Sequence, residues 1–169
     1  IIAVGNEVLL RGDLNEDEII KYIQKVKQEI PNIPVGYVDA YFEFVNHPRL
    51  CNLCDVILAN CYPFWEGCSA EYSLLYMKDM YRRATKVANG KKVIITETGW
   101  PDKGAKFYGA EPSIKNALTY FINAQIWSQE DGIDIFYFSS FDEPWKVGAE
   151  GDVGAYWGIW DKNGKPKYE

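Results

Sequence analysis

Five short apolar runs, at residues 1–5, 34–38, 55–60, 92–96 and 133–139, punctuate the chain. Each is rich in Val, Ile or aromatic residues, and none alternates cleanly with polar positions. Strands buried on both faces of a parallel sheet read this way. Helical patterns lie between them. Ile19, Ile23, Val26 and Ile30 recur at spacings of three and four, which puts one apolar face on a helix over 16–30. Asn15 is its expected cap, and Glu16, Asp17 and Glu18 fall in its first turn, where the helix end is positive. Pro31 stops it. Further helices are expected over 69–88, with Gly90 near the end, and over 113–129, with only a short one over 48–54. The order β-α-β-(short α)-β-α-β-α-β predicts an α/β fold built on a parallel sheet. Past residue 146, Tyr156-Trp157-Gly158-Ile159-Trp160 followed by Asn163-Gly164 predicts a hairpin.

Composition narrows the partners. The 169 residues suit a single domain over 1–169, and 47% hydrophobic against 25% charged residues marks a globular chain. A net charge of −6 argues against nucleic acid or an anionic membrane, because little here would neutralise phosphates. A neutral substrate fits better. Six Trp, twelve Tyr and eight Phe form an aromatic excess suited to stacking on sugar rings, although most such rings belong to cores. No run approaches the roughly 20 apolar residues of a membrane span, and no signal peptide is visible. Ile1-Ile2-Ala3-Val4 already reads as a buried strand, so the chain is expected to be an internal piece of something longer. Cys51, Cys54, Cys61 and Cys68 include one C-x-x-C without a second, and His47 is the single histidine, so a zinc site is weakly signalled. Buried free thiols are the first reading, and a disulfide stays open. No cofactor and no metal are expected.

In parallel βα folds, ligand-handling residues follow the C-terminal ends of the strands. Here those residues are Asn6-Glu7; Asp39 and Tyr41; Tyr62-Pro63-Phe64-Trp65-Glu66; Glu97-Thr98-Gly99-Trp100-Pro101; and Phe141-Asp142-Glu143-Pro144-Trp145-Lys146. Glu7 and Glu97 are acids placed directly on strand ends. Two facing carboxyl groups suit cleavage of a glycosidic bond, one as proton donor and one as nucleophile. Separations of about 5–5.5 Å imply retention and about 6.5–9.5 Å inversion. The alternatives are ordinary ion pairs with Lys or Arg, or a hard-metal site made of carboxylates. His47, ahead of Pro48 in a loop, reads as a surface residue, and Ser-His-Asp chemistry lacks another histidine.

Val4-Gly5-Asn6-Glu7 with Ile95-Thr96-Glu97-Thr98-Gly99-Trp100-Pro101 resembles family 17 of the glycoside hydrolases. Tyr62-Pro63-Phe64 and Phe141-Asp142-Glu143-Pro144-Trp145-Lys146 are similar to strand-end motifs of the same family. The resemblance implies an endo-β-1,3-glucanase or β-1,3-glucanosyltransferase on a (β/α)8 TIM barrel, with this chain as the C-terminal portion covering about strands 4 to 8. It implies Glu7 as general acid/base and Glu97 as nucleophile. It also implies Asn6 on the sugar 2-hydroxyl, Tyr62 beside Glu97, and Trp100 and Trp65 stacked on glucose. Glu143 and Lys146 would hold hydroxyls or pair with each other, and Tyr41 with Asp39 would line the site. The implied partner is β-1,3-glucan or a laminari-oligosaccharide, and the implied location is secreted or cell-envelope. Five strands cannot close such a barrel. An open parallel sheet is therefore expected, its edges paired with a missing N-terminal piece or another copy, or the chain acts as a noncatalytic glucan-binding fragment.

Overall fold

The computed structural model describes residues 1–148 and 150–168. Five strands, β1 (Ile2–Asn6), β2 (Val35–Ala40), β3 (Val56–Asn60), β4 (Val93–Thr98) and β5 (Ile135–Tyr137), form one sheet in the order β1-β2-β3-β4-β5. All five predicted strands are present, and the sheet is parallel and open, as expected of part of a barrel. The strands are not equally buried. Every residue of β2 and β3 is buried, whereas β1 and β5, at the two ends of the order, are largely accessible.

The residues group into two compact units, Ile1–Cys61 with Lys78–Thr96, and Tyr62–Met77 with Glu97–Glu169. In the first unit, β2 and β3 pair in register from Gly36↔Val56 to Ala40↔Asn60. Val38, Val56, Leu58 and Ile94 pack into one apolar cluster. Helix α1 (Glu16–Glu29) starts on a capping box: Asn15 Oδ1 accepts from the Glu18 amide at 3.1 Å, and Glu18 Oε2 accepts from the Asn15 amide at 3.0 Å. Ile19 and Ile23 are buried as predicted. Ile30 leaves the apolar face, because it lies in the C-cap position and is 37% exposed. Two short helices follow β2, α2 (Tyr41–Asn46) and α3 (Pro48–Leu53). Only the second was expected. His47 joins them half-buried rather than on the surface, with Nδ1 3.1 Å from Glu43 Oε2.

Helix α4 (Ser73–Val87) follows a short 3₁₀ turn, Ala70–Tyr72. In the second unit, Phe64, Trp100, Ala110, Ala117, Tyr120, Val153 and Trp157 form the core. Helix α5 (Ile114–Asp131) buries Ala117, Tyr120, Ala124 and Trp127 at spacings of three and four. Ser113 caps its start, and Gly132 ends it at φ 64°. The tail forms no regular hairpin. A turn does close at Asn163-Gly164, with Asp161 N–H donating to Lys165 O at 2.9 Å, but only the isolated bridge Trp160↔Pro166 accompanies it. Ahead of it, 3₁₀ backbone occupies Gly151–Ala155, and Trp157 is buried at 2% exposure. All four cysteines are free thiols; Cys51, Cys54 and Cys61 are buried and Cys68 is half-buried. Burial pushes the Cys51 and Cys54 thiols up to about 11, so they stay protonated and inert at neutral pH.

Candidate active site

The first unit carries Asn6 and Glu7 at the end of β1. The pairing of β1 with β2 runs Ile2↔Val35, Ala3↔Gly36, then Asn6↔Val38, with the register breaking between Ala3 and Asn6. One extra residue is accommodated in β1, and Gly5 sits there at φ 85°. Such bulges re-aim the side chains that follow. A side chain at Gly5 would also be crowded, since a Cβ there would lie 3.1 Å from Val8 and 3.3 Å from the Tyr37 ring. Glu7 itself is left-handed, at φ 53°, which is uncommon for a residue other than glycine.

Hydrogen bonds hold that backbone in place. Glu7 N–H donates to Val38 O at 2.9 Å, and Glu7 O accepts from Arg11 N–H at 3.0 Å. Leu9 N–H reaches both Tyr37 Oη at 2.9 Å and Asp39 Oδ2 at 3.1 Å. Asp39 is fully buried and also accepts from the Tyr37 hydroxyl. Burial first, and then Asp39, raise the Tyr37 phenol well above its ordinary range, which keeps it a donor. Asp39 therefore braces the Glu7 loop from inside β2. The Glu7 carboxylate is held too: Asn60 Nδ2 donates to Glu7 Oε1 at 2.9 Å and to Asn6 Oδ1 at 3.2 Å.

Tyr41, expected to line the site, is only 3% exposed. Its hydroxyl accepts from Arg83 Nη1 at 2.9 Å, and the guanidinium lies 4.9 Å from its ring centroid. The start of α2 turns this residue into the core, so it offers no surface to a ligand.

The second unit carries Glu97 in β4, with the strand running one residue past it to Thr98. Tyr62 donates its hydroxyl to Glu97 Oε2 at 2.9 Å, which brings together two residues predicted to meet. The Tyr62 ring is itself fixed edge-on by Trp157 at 5.4 Å and Phe138 at 6.4 Å. Trp65 is 37% exposed and leans on Phe64, Phe107 and Trp157, so it keeps open surface on a rigid base. Trp100 does not. It is 1% exposed, packs on Phe64 and Tyr120, and donates its indole N–H to Glu111 O at 3.1 Å. A ring so enclosed has no face for a glucose, and the expected stacking role is corrected to a core role.

Glu143 and Lys146 pair with each other, Nζ to Oε2 at 2.9 Å, without hydrogen-bond alignment. Lys146 Nζ also lies 4.0 Å from the Phe138 ring centroid. The mutual ion pair, one of the two expectations for these residues, is present. Asn60 and Thr96 were not singled out by sequence. A polar residue closing the otherwise apolar Val56-Ile57-Leu58-Ala59 was the available signal for the first. Among the described residues no group of three or more His, Cys, Asp or Glu could hold a metal ion, and no helix is long and apolar enough to cross a membrane.

Five strands in one open parallel sheet, with helices between them, define an α/β protein of the barrel type. Comparison with known proteins agrees. The chain belongs to the BtgE/BtgC glycoside hydrolase domain family, whose model matches residues 1–158. A glucan 1,3-beta-glucosidase of Arthroderma benhamiae is 32% identical over 183 residues, covering 99% of this chain and 59% of that protein. The cell surface mannoprotein MP65 of Candida albicans is 28% identical, with 94% and 43% covered. The family 17 β-1,3-glucanosyltransferase of Rhizomucor miehei superposes with a TM-score of 0.88 at 30% identity, covering 98% of this chain and 61% of that one. An active-site mutant of that enzyme in complex with laminaritriose gives 0.89, with 97% and 60% covered. The chain thus spans roughly two-fifths to three-fifths of the length of these relatives.

Proposed function

We propose that the protein containing this chain is a retaining glycoside hydrolase acting on β-1,3-glucan, with Glu7 as general acid/base and Glu97 as nucleophile. The observation that carries the reading is the hydroxyl of Tyr62 on Glu97 Oε2 at 2.9 Å. It holds a strand-end carboxylate in one orientation, as a nucleophile requires. In the first step Glu7 gives its proton to the glycosidic oxygen, the C–O bond breaks, and a Glu97 oxygen bonds to the anomeric carbon. In the second, Glu7 takes a proton from water, the water oxygen attacks the same carbon, and Glu97 leaves as carboxylate. Asn6 would donate to the sugar 2-hydroxyl, and Trp65 would carry a glucose on its exposed surface. The Glu143–Lys146 pair would hold its loop in shape. The mannoprotein relative favours a secreted or cell-envelope location.

Transfer to a second glucan is the alternative outcome of the same intermediate, favoured by the likeness to the Rhizomucor glucanosyltransferase. Products longer than the laminari-oligosaccharide supplied would mark transfer; glucose-terminated shorter ones alone would mark hydrolysis. The nucleophile is tested on the intact protein with a 2-fluoro laminari-oligosaccharyl fluoride, which slows the second step. The peptide holding Glu97 is expected to gain the glycosyl mass, and Glu97→Ala to lose turnover while melting like the parent. Label on another residue, or near-normal turnover by Glu97→Ala, would overturn the assignment. Binding of glucan without turnover by the intact, folded protein would favour a noncatalytic role.

A further inference from the structure

A buried amide lies against the carboxylate that the proposed reaction uses as its acid, and that amide is itself held from behind. Asn60 closes β3 and is 2% exposed. Its Nδ2 donates to Glu7 Oε1 at 2.9 Å and to Asn6 Oδ1 at 3.2 Å. Its Oδ1 accepts from Thr96 Oγ1 at 2.8 Å. The polarity of this amide is therefore set. Turned over, it would point an oxygen at two acceptors and lose both bonds, and a buried polar group left unpaired is costly.

The consequence is chemical as well as structural. A general acid/base must deliver a proton from one oxygen and then take one back, without swinging away when its charge appears. With an N–H committed to Oε1, the transferable proton belongs on Oε2. The same N–H bond strengthens as Glu7 ionises, because charge-assisted hydrogen bonds are roughly twice as strong as neutral ones. Asn6 turns its carbonyl oxygen to Asn60. We propose that Asn60, oriented by Thr96, is a positioning residue that selects Oε2 of Glu7 as the proton-bearing oxygen and holds that carboxyl through both protonation states. The proposal rests on the reading of Glu7 as acid/base.

The test uses the intact protein and two substrates, an unmodified laminari-oligosaccharide and one ending in a nitrophenyl group. The second leaves easily and needs little protonation. Values of kcat/KM are compared, because they report the first chemical step. Asn60→Ala is expected to lose about 10- to 100-fold on the unmodified sugar, a fraction of the roughly 100- to 10,000-fold that general acid–base catalysis contributes, and clearly less on the nitrophenyl substrate. Thr96→Val, nearly isosteric, should lose several-fold with the same substrate dependence, and Thr96→Ser should restore the rate. In the Asn60→Ala background, Thr96→Val should add nothing, since Thr96 acts only through Asn60. If Asn60→Ala does not fold, the Thr96 pair decides the matter alone. Equal losses on both substrates, failure of serine to restore, or additive losses would overturn the proposal. Glu7→Gln separates the layers. If it keeps activity on the unmodified sugar, the acid/base reading falls. If it loses activity while Asn60→Ala and Thr96→Val match the parent, only the positioning role falls.

Discussion

Glu7 keeps its backbone at φ 53°, a conformation that costs a non-glycine residue about 1–2 kcal/mol. It persists because the hydrogen bonds to Val38, Arg11 and Asn60 over-determine it. Asp102, two residues past Trp100, is strained in another way. Its side chain is 1% exposed, and Lys167 Nζ lies 3.1 Å from Oδ2 without hydrogen-bond alignment. Burial outweighs that lysine and raises the Asp102 carboxyl above the usual carboxylate range. The folded state then binds this proton more tightly than the unfolded chain does, where the value is about 3.9. Stability contributed by the group is greatest in acid and falls as pH rises through the window between the two values. Asp102→Asn removes the charge while Asp142 still holds Lys167 at 2.8 Å. The expected outcome is a melting temperature that gains on the parent as pH rises above the ordinary carboxylate value of about 3.9, read by thermal melts at increasing pH. A difference that shrinks with rising pH would contradict the burial argument.

At the scale of elements, two motif glycines mark where strand ends are shaped. Gly5 sits in the bulge that aims Asn6 and Glu7. Gly99 follows β4, where a Cβ would fall 1.9 Å from Phe138 O, on the backbone that leaves β5. Backbone cannot yield as a flexible side chain can. Gly99→Ala is expected to cost about 3 kcal/mol, the upper end for overpacking, lowering the melting temperature by about 6–12 °C for a chain of this size. A calorimetric scan checks it, and an unchanged midpoint would mean that the two segments separate freely. The cap at Asn15 was legible for a local reason: it acts within one turn of its own helix. Ser113 and Gly132 act as locally at α5 but became evident as caps only in the structure. Helix α2 was hidden because Tyr41-Phe42-Glu43-Phe44 continues the apolar β2 without a break in pattern. The tail hairpin was over-read from its Asn163-Gly164 turn, since Trp157 and Val153 are drawn into the core of the second unit instead of a regular ladder.

For the whole chain, the open sheet sets the behaviour. The strands β1 and β5 end the strand order, Phe136 on β5 is 65% exposed, and Ile1 beside β1 is 62% exposed. Sheet edges bearing apolar side chains template further pairing. The 169-residue chain on its own is expected to associate with increasing concentration in sedimentation velocity, and Phe136→Lys to reduce that association. A chain that stays monomeric at all concentrations, with or without the lysine, would show that these edges are already protected.

The sequence by itself determined the period of the chain: five apolar runs, the helices between them, the Asn15 cap, and the two glutamates at strand ends. These follow from local backbone geometry and from hydrophobic spacing, which are written in neighbouring residues. Only the tertiary structure decided which aromatic rings are buried. Trp100 and Tyr41 look in sequence like Trp65, yet packing against Phe64, Tyr120 and Arg83 takes them inside while Trp65 keeps an open face. The tie from Asn60 to Glu7 likewise spans 53 residues. Such contacts depend on which strands become neighbours, and no local pattern carries that information.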